Sequence, residues 1–301
     1  MWSEIINQIS QVSGEQWEMT DRRSVGGGCI NQAYIINLRA TSNPAQRQQQ
    51  QYFVKLNRAS LLDMFTAEAW GLREMQQARA ITVPTPICWG TANDSSFLVL
   101  SYLNLGATGT QQNWVEMGRQ LANMHRYELS PDRKFGWHIN NTIGSTPQIN
   151  TWEADWTTFW QKHRLGYQLK LAQRRGGNIP QKDAILSAIP TLLAHHHPQP
   201  SLVHGDLWGG NASFTRDGIP VIFDPATYWG DREVDIAMTE LFGGFPADFY
   251  QGYNAVLPLD PGYERRKQLY NLYHILNHYN LFGGGYLSQA NQSIERLLAN
   301  L

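Results

Sequence analysis

The chain has 301 residues, with 24 basic and 25 acidic side chains, a formal net charge of −1, 11 Trp and 13 Tyr. That length accommodates one large domain or two lobes with a substantial core, and the balanced charge gives no electrostatic footprint for nucleic acid or an anionic membrane. No apolar run approaches bilayer length, Met1 to Ser10 lacks the regions of a signal peptide, and Cys29 and Cys88 cannot build a disulfide framework, so a cytoplasmic protein without membrane or nucleic-acid partners is expected.

The first hundred residues read as a small β-rich lobe. Ser24 to Ile30, with Gly26, Gly27 and Gly28, forms a glycine-rich hairpin tip leading into a strand over Ala33 to Leu38. Glycines at such a tip let backbone N–H groups approach phosphate oxygens, although they also serve simply as a turn. The sequence follows neither G-x-G-x-x-G nor Walker A. After a Gln-rich connection, Tyr52 to Leu56 reads as a strand carrying Lys55, in a Phe-Val-Lys run like the Val-Ala-Ile-Lys of kinases. A helix over Leu62 to Ala80, with Phe65, Ala69, Leu72 and Met75 or Gln76 at helical spacing, carries Glu68, the natural partner for Lys55. The prolines at 84 and 86 end it. Phe97 to Leu100 is a short apolar strand, and Ser101 to Thr110 reads as a hinge between lobes at 1–102 and 103–301, with Leu100 and Tyr102 expected beside a nucleotide.

The remainder is mostly helical. Trp114, Met117, Leu121 and Met124 mark a helix ending near His125, which reads as structural. Trp152, Trp156, Phe159 and Trp160 mark a second helix, Ala184 to Ala194 a third and Glu264 to Leu281 a last one. His195-His196-His197, in a Pro-flanked polar stretch, reads as a solvated loop.

The chemistry concentrates in His204-Gly205-Asp206-Leu207-Trp208-Gly209-Gly210-Asn211 and Phe223-Asp224-Pro225-Ala226. In phosphoryl transfer from ATP, an Asp positions and deprotonates the acceptor hydroxyl, an Asn five residues on holds Mg²⁺, and a second Asp across a hairpin bridges Mg²⁺ to the phosphates. Asp206, Asn211 and Asp224 match those roles, and the turn Arg216-Asp217-Gly218 between short apolar runs supplies the hairpin. His204 is expected to fix the loop through hydrogen bonds. Gly205 replaces the Arg of His-Arg-Asp, Pro225-Ala226 replaces the Phe-Gly of Asp-Phe-Gly, and Ala-Pro-Glu is absent, so a constitutively assembled small-molecule kinase is expected rather than a switchable one. Asp231, Glu233 and Asp235 read either as a helix N-terminus rich in carboxylates or as a substrate or lobe-stabilising cluster.

With these residues assembled, the chain resembles the fructosamine kinase (ketosamine-3-kinase) family, relatives of the aminoglycoside phosphotransferases. The resemblance is carried by Gly26 to Tyr34, Asp155-Trp156 to Phe159, Arg164-Leu165, Gln168-Leu169, His204 to Asn211, Asp224-Pro225-Ala226 to Met238, and Leu272 to Tyr286. It implies an α+β, bilobal protein-kinase-like fold and phosphorylation of a ketosamine 3-hydroxyl with ATP and Mg²⁺, leading to deglycation. The acceptor would be a free or protein-bound ketosamine, and the protein a monomer or homodimer. Trp208, Tyr228 and Trp229 are candidates for stacking on the sugar, with Asp231 as a further substrate residue. Cys29, in the glycine-rich loop, is either a small filler or a redox-sensitive thiol. The alternatives are an aminoglycoside- or choline-type phosphotransferase of the same fold and, of a different class, a nucleotide-binding pseudokinase. The presence of Lys55, Asp206 and Asp224 argues against the last.

Overall fold

In the computed structural model, which describes residues 1–26, 30–42, 48–127 and 130–301, a helix α1 (Trp2–Ser13) precedes an antiparallel sheet. Its strands are β1 (Trp17–Val25), β2 (Gln32–Ala40), β3 (Gln49–Arg58), β4 (Pro86–Ala92) and β5 (Ser95–Ser101), in the order β1-β2-β3-β5-β4. Between β3 and β4 runs α2 (Leu62–Ala78). Ile5 and Ile9 of α1 pack on Ile36, Leu38, Val54 and Val99, which gives one face of the sheet its own apolar core. The buried side of α2 (Phe65, Ala69, Leu72, Met75) instead joins the main core of the C-terminal region, together with Leu98 and Leu100 of β5. The helix stops at Ala78, because Arg79 adopts a left-handed conformation (φ 48°).

The C-terminal region is mainly helical. It contains α3 (Gln111–His125), the ribbon β6 (Asn141–Ile143) and β7 (Thr146–Gln148), and α4 (Trp156–Phe159), which continues through a π-helical turn into α5 (Gly166–Arg174). Then come α6 (Lys182–Leu192), β8 (Ser201–Val203), β9 (Ala212–Phe214), β10 (Pro220–Ile222), β11 (Tyr228–Gly230), α7 (Glu233–Leu241), α8 (Ala247–Val256), α9 (Tyr263–Phe282) and α10 (Tyr286–Ala299). The fold is α+β and protein-kinase-like. Thr110 caps α3 by accepting the Asn113 N–H. Gly118 and Gly252 let α3 and α8 touch backbone to backbone, since a Cβ on either would sit 2.0 Å from a carbonyl oxygen of the facing helix.

The structure corrects several sequence expectations. Trp152 precedes the second helix rather than lying on it, because the Asp155 carboxylate caps the start by accepting the Thr158 N–H. The chain does not end its helices at Gly283 to Gly285; the glycines, two of them at positive φ, turn it into α10. Among the described residues no helix is long and apolar enough to cross a membrane.

Candidate active site

Two short ribbons bring the polar residues of the His204–Asn211 loop together. β8 delivers the chain to His204, and β9 pairs with β10 in the register Ala212 to Ile222, which returns Asp224 beside Asn211. Phe223 N–H donates to the Asn211 carbonyl at 3.0 Å and closes that end of the hairpin. The Asn211 amide donates to the Asp206 carbonyl at 2.8 Å and to Asp206 Oδ2 at 3.3 Å. Gly205 has φ +81°, and a Cβ there would lie 2.2 Å from the Ala226 carbonyl oxygen, so the loop could not follow this path with a side chain. Asp224 is a non-glycine residue at φ 58°, a conformation that surrounding structure must enforce.

Lys55 on β3 reaches this end of the hairpin. Its Nζ lies 2.6 Å from Glu68 Oε1 on α2 and 2.5 Å from Asp224 Oδ1. Its side chain is only 6% exposed, whereas that of Asp224 is 47% exposed. Burial alone would lower the lysine's pKa; the charges of Asp224 and Glu68 outweigh it and hold the ammonium above its ordinary value. Two carboxylates share that one cation, so Glu68 is raised by its burial, with Asp224 adding to the shift. Asp206 is raised to about 7 by burial and by the nearby charge of Asp224, against the opposing bond from Asn211. The Asn57 amide donates to Asn31 Oδ1 at 2.7 Å and to the Ile30 carbonyl at 3.1 Å, tying Ile30 and Asn31 to β3.

A buried carboxylate that the sequence left ambiguous supports the loop from behind. Asp235 accepts the His204 N–H at 2.7 Å and the Gly205 N–H at 2.8 Å, and its Oδ2 lies 3.1 Å from His125 Nε2. Burial would raise its pKa, but the bond and charge of His125 outweigh that and keep Asp235 below the usual carboxylate range. Burial lowers the pKa of His204, which favours the neutral ring. That form lets Nε2–H donate to the Phe223 carbonyl at 2.9 Å while Nδ1 accepts the Asp206 N–H at 3.3 Å. His204 therefore ties the Asp206 loop to the residue before Asp224 through its ring.

The remaining candidates separate by burial. Trp208 is 40% exposed, with its ring over Gly210, beside the loop residue Asn211. Tyr228 and Trp229 were expected to stack on a sugar but belong to the core, because β11 pairs with β8 inside the molecule. Tyr228 lies under the Arg164 guanidinium (4.0 Å) and against Phe159, and the Trp229 indole donates to Glu74 at 3.0 Å. Asp231, expected to meet substrate, is buried and bonded to His196 Nε2 (2.6 Å) and the Tyr270 hydroxyl (2.5 Å). His196 is thus not part of a solvated loop; only its neighbours His195 and His197 are exposed. Glu233 and Asp260 also approach His196, but Arg266 engages both Glu233 oxygens, which makes the group a charge network.

Leu100 is buried near the end of β5 and Tyr102 half-buried just beyond it. Gly26 has open space around it, while Gly27, Gly28 and Cys29 lie outside the described residues. Cys88 is buried on β4, and burial pushes its thiol to about 12, so it is no nucleophile.

A lysine–glutamate pair, a loop Asp with an Asn five residues on, and a second Asp across a hairpin define a phosphotransferase of the protein-kinase-like class, one acting on an alcohol acceptor. The chain belongs to the fructosamine kinase family, whose model matches residues 1–300. It is 51% identical over 297 residues to a Synechocystis protein named a probable ketoamine kinase, covering 99% of this chain and 97% of that one. It is 42% identical over 304 residues to the chloroplastic protein-ribulosamine 3-kinase of Oryza sativa, covering 98% and 84%. The crystal structure of a candidate fructosamine-3-kinase from Haemophilus somnus superimposes with a TM-score of 0.89 at 32% identity, over 99% of this chain and 98% of that one. An ADP-bound aminoglycoside phosphotransferase shares the fold alone, with a TM-score of 0.64 at 12% identity over 99% of both chains.

Proposed function

We propose that this protein transfers the γ-phosphoryl group of ATP to the 3-hydroxyl of ketosamines, with Asp206 as the base that accepts the hydroxyl proton. The observation that carries the reading is the lysine bridge: Lys55 is bonded at once to Glu68 and Asp224, beside the Asp206–Asn211 pair. Lys55 would balance phosphate charge and Glu68 would hold its ammonium in place. The donor set fits Mg²⁺, a hard cation that takes oxygen ligands: Asp224 is exposed and, among the described residues, hydrogen-bonded only by Lys55, and Asn211 offers an amide oxygen. Bound there, the metal would neutralise charge on the transferring phosphoryl group. Positioning and electrostatics then account for most of the rate, without a covalent intermediate.

Nucleotide binding is assigned to residues 1–102, with Gly26, Leu100 and Tyr102 near the nucleotide, and acceptor binding to 103–301, the join lying at about 101–110. Trp208 is the residue assigned to stack on the acceptor sugar, since it alone of the three aromatic candidates is exposed beside the loop. The 3-phosphorylated ketosamine decomposes and frees the amine, which makes the reaction a deglycation. The test is a panel assay with ATP and Mg²⁺ against ribulosamine, erythrulosamine, fructosamine, aminoglycoside and choline acceptors. Turnover confined to ketosamines is expected; turnover confined to aminoglycosides or choline, or none at all, would overturn the reading.

A further inference from the structure

Helix α2 carries Glu68, whose Oε1 lies 2.6 Å from Lys55 Nζ, and its buried face packs against the C-terminal region. Glu68, Gly71 and Glu74 recur every three residues and so descend one side of the helix. Glu74 ends that row against two tryptophans of the C-terminal region. Its Oε2 accepts the Trp137 indole N–H at 2.5 Å and its Oε1 the Trp229 indole N–H at 3.0 Å. The two indoles are presented as a pair because Gly136 and Trp229 exchange backbone bonds, N–H to carbonyl, at 2.9 and 2.8 Å. One turn back, Gly71 sits so close to the segment after Asp224 that a Cβ would lie 2.8 Å from Thr227 Oγ1 and 3.1 Å from its Cβ. Trp70 completes the seam with its ring edge-on to His138 at 5.6 Å.

The apolar contacts run the same way, since the buried face of α2 shares one core with Phe135, Trp137 and Ile143 rather than with the face of the sheet covered by α1. The helix thus packs on the C-terminal region as well as on β4 and β5, and it meets β3 through the Lys55–Glu68 bond. Glu74, accepting from two indole donors, is a polar link in that seam.

We propose that Glu74 is a positioning residue for phosphoryl transfer: clamped by Trp137 and Trp229, it fixes α2 so that Glu68 is presented to Lys55 whether or not nucleotide is present. The inference rests on the roles given above to Lys55 and Glu68, and it gives a physical basis for the expectation of a site assembled without a switchable loop. In kinases that switch, the Lys–Glu pair is made and broken by moving this helix.

The test uses the full chain and three variants, Glu74→Gln, Trp137→Phe and Gly71→Ala, with affinity for a non-hydrolysable ATP analogue measured by calorimetry beside steady-state kinetics. Glu74→Gln turns an acceptor into an amide that opposes an indole N–H, and it is expected to weaken the analogue and raise KM for ATP by ~5-fold or more, the scale of one charge-assisted hydrogen bond. KM for the acceptor should stay within about 2-fold, as that surface is untouched. Gly71→Ala is the sharper variant, because alanine favours the helix by about 1 kcal/mol yet pushes it off Thr227; weakened nucleotide binding there separates positioning from helix stability. In a Glu68→Gln background the Glu74→Gln change should cost less than about 2-fold more, since both act through one bond. Wild-type nucleotide affinity in Glu74→Gln and Gly71→Ala, or losses that multiply in the double variant, would overturn the proposal. If Glu74→Gln fails to fold, Trp137→Phe, which keeps a ring in the core, gives the same readout. The binding measurement needs no acceptor, so a wrong assignment of the acceptor would leave this result standing.

Discussion

Asp235 accepts the backbone N–H of Gly205 at 2.8 Å across 30 residues of chain, and with it the N–H of His204. One buried carboxylate thereby sets the direction in which Asp206 leaves the strand. Asp235→Asn would turn one acceptor oxygen into a donor facing donors. It is expected to lower kcat by ~10- to 100-fold and to destabilise the fold by about 3 kcal/mol, as expected when one partner of a buried charged network is lost. Urea unfolding alongside kinetics checks both; an unchanged kcat would show that the loop holds itself.

Asp206 is the base in the proposed mechanism, and its removal should affect chemistry before binding. Asp206→Ala is expected to lower kcat by at least ~10²-fold, the scale of general-base loss. Nucleotide affinity should change little. Turnover like that of the wild type would refute the role.

The pKa of Asp206, raised by burial and by Asp224 to about 7, gives opposite signs for activity and stability. A base works ionised, so kcat/KM for the acceptor should fall as the pH drops below about 7. Stability runs the other way. The folded chain holds this proton more tightly than the unfolded chain, whose Asp has the ordinary value of 3.8, so the contribution of this group declines as pH rises from about 4 to 7. Asp206→Asn should therefore raise the urea midpoint more at pH 8 than at pH 5. An equal rise at both values would mean that the proton is not retained.

Trp208 and Trp229 lie 21 residues apart in one region of the sequence, yet they should fail differently. Trp208→Ala removes an exposed ring; KM for the acceptor should rise by about 10-fold, consistent with loss of one aromatic contact, with the melting temperature almost unmoved. Trp229→Ala empties a core position and should cost about 3–5 kcal/mol of stability. Differential scanning calorimetry with acceptor kinetics distinguishes them. An unchanged acceptor KM in Trp208→Ala would remove it from the substrate site.

The proposed chemistry was legible in the sequence alone, because the groups assigned to it are local. Asp206, Asn211 and Asp224 sit on one loop and one hairpin, where residue spacing and a turn dictate geometry without help from distant parts of the chain. Lys55 and Glu68 were legible through their order on a strand and the next helix. Only the tertiary structure decided which neighbours of that motif are exposed and which lie in the core. Tyr228, Trp229 and Asp231 follow Asp224 closely, but the pairing of β11 with β8 buries the two rings, and Asp231 is buried against His196 and Tyr270. The supports were equally hidden: Asp235 reaches back to Gly205, and Glu74 reaches forward to Trp137 and Trp229. Spacing along the chain governs what adjacent residues can do together, whereas burial is set by contacts between segments far apart in sequence, and nothing in the local pattern records those contacts.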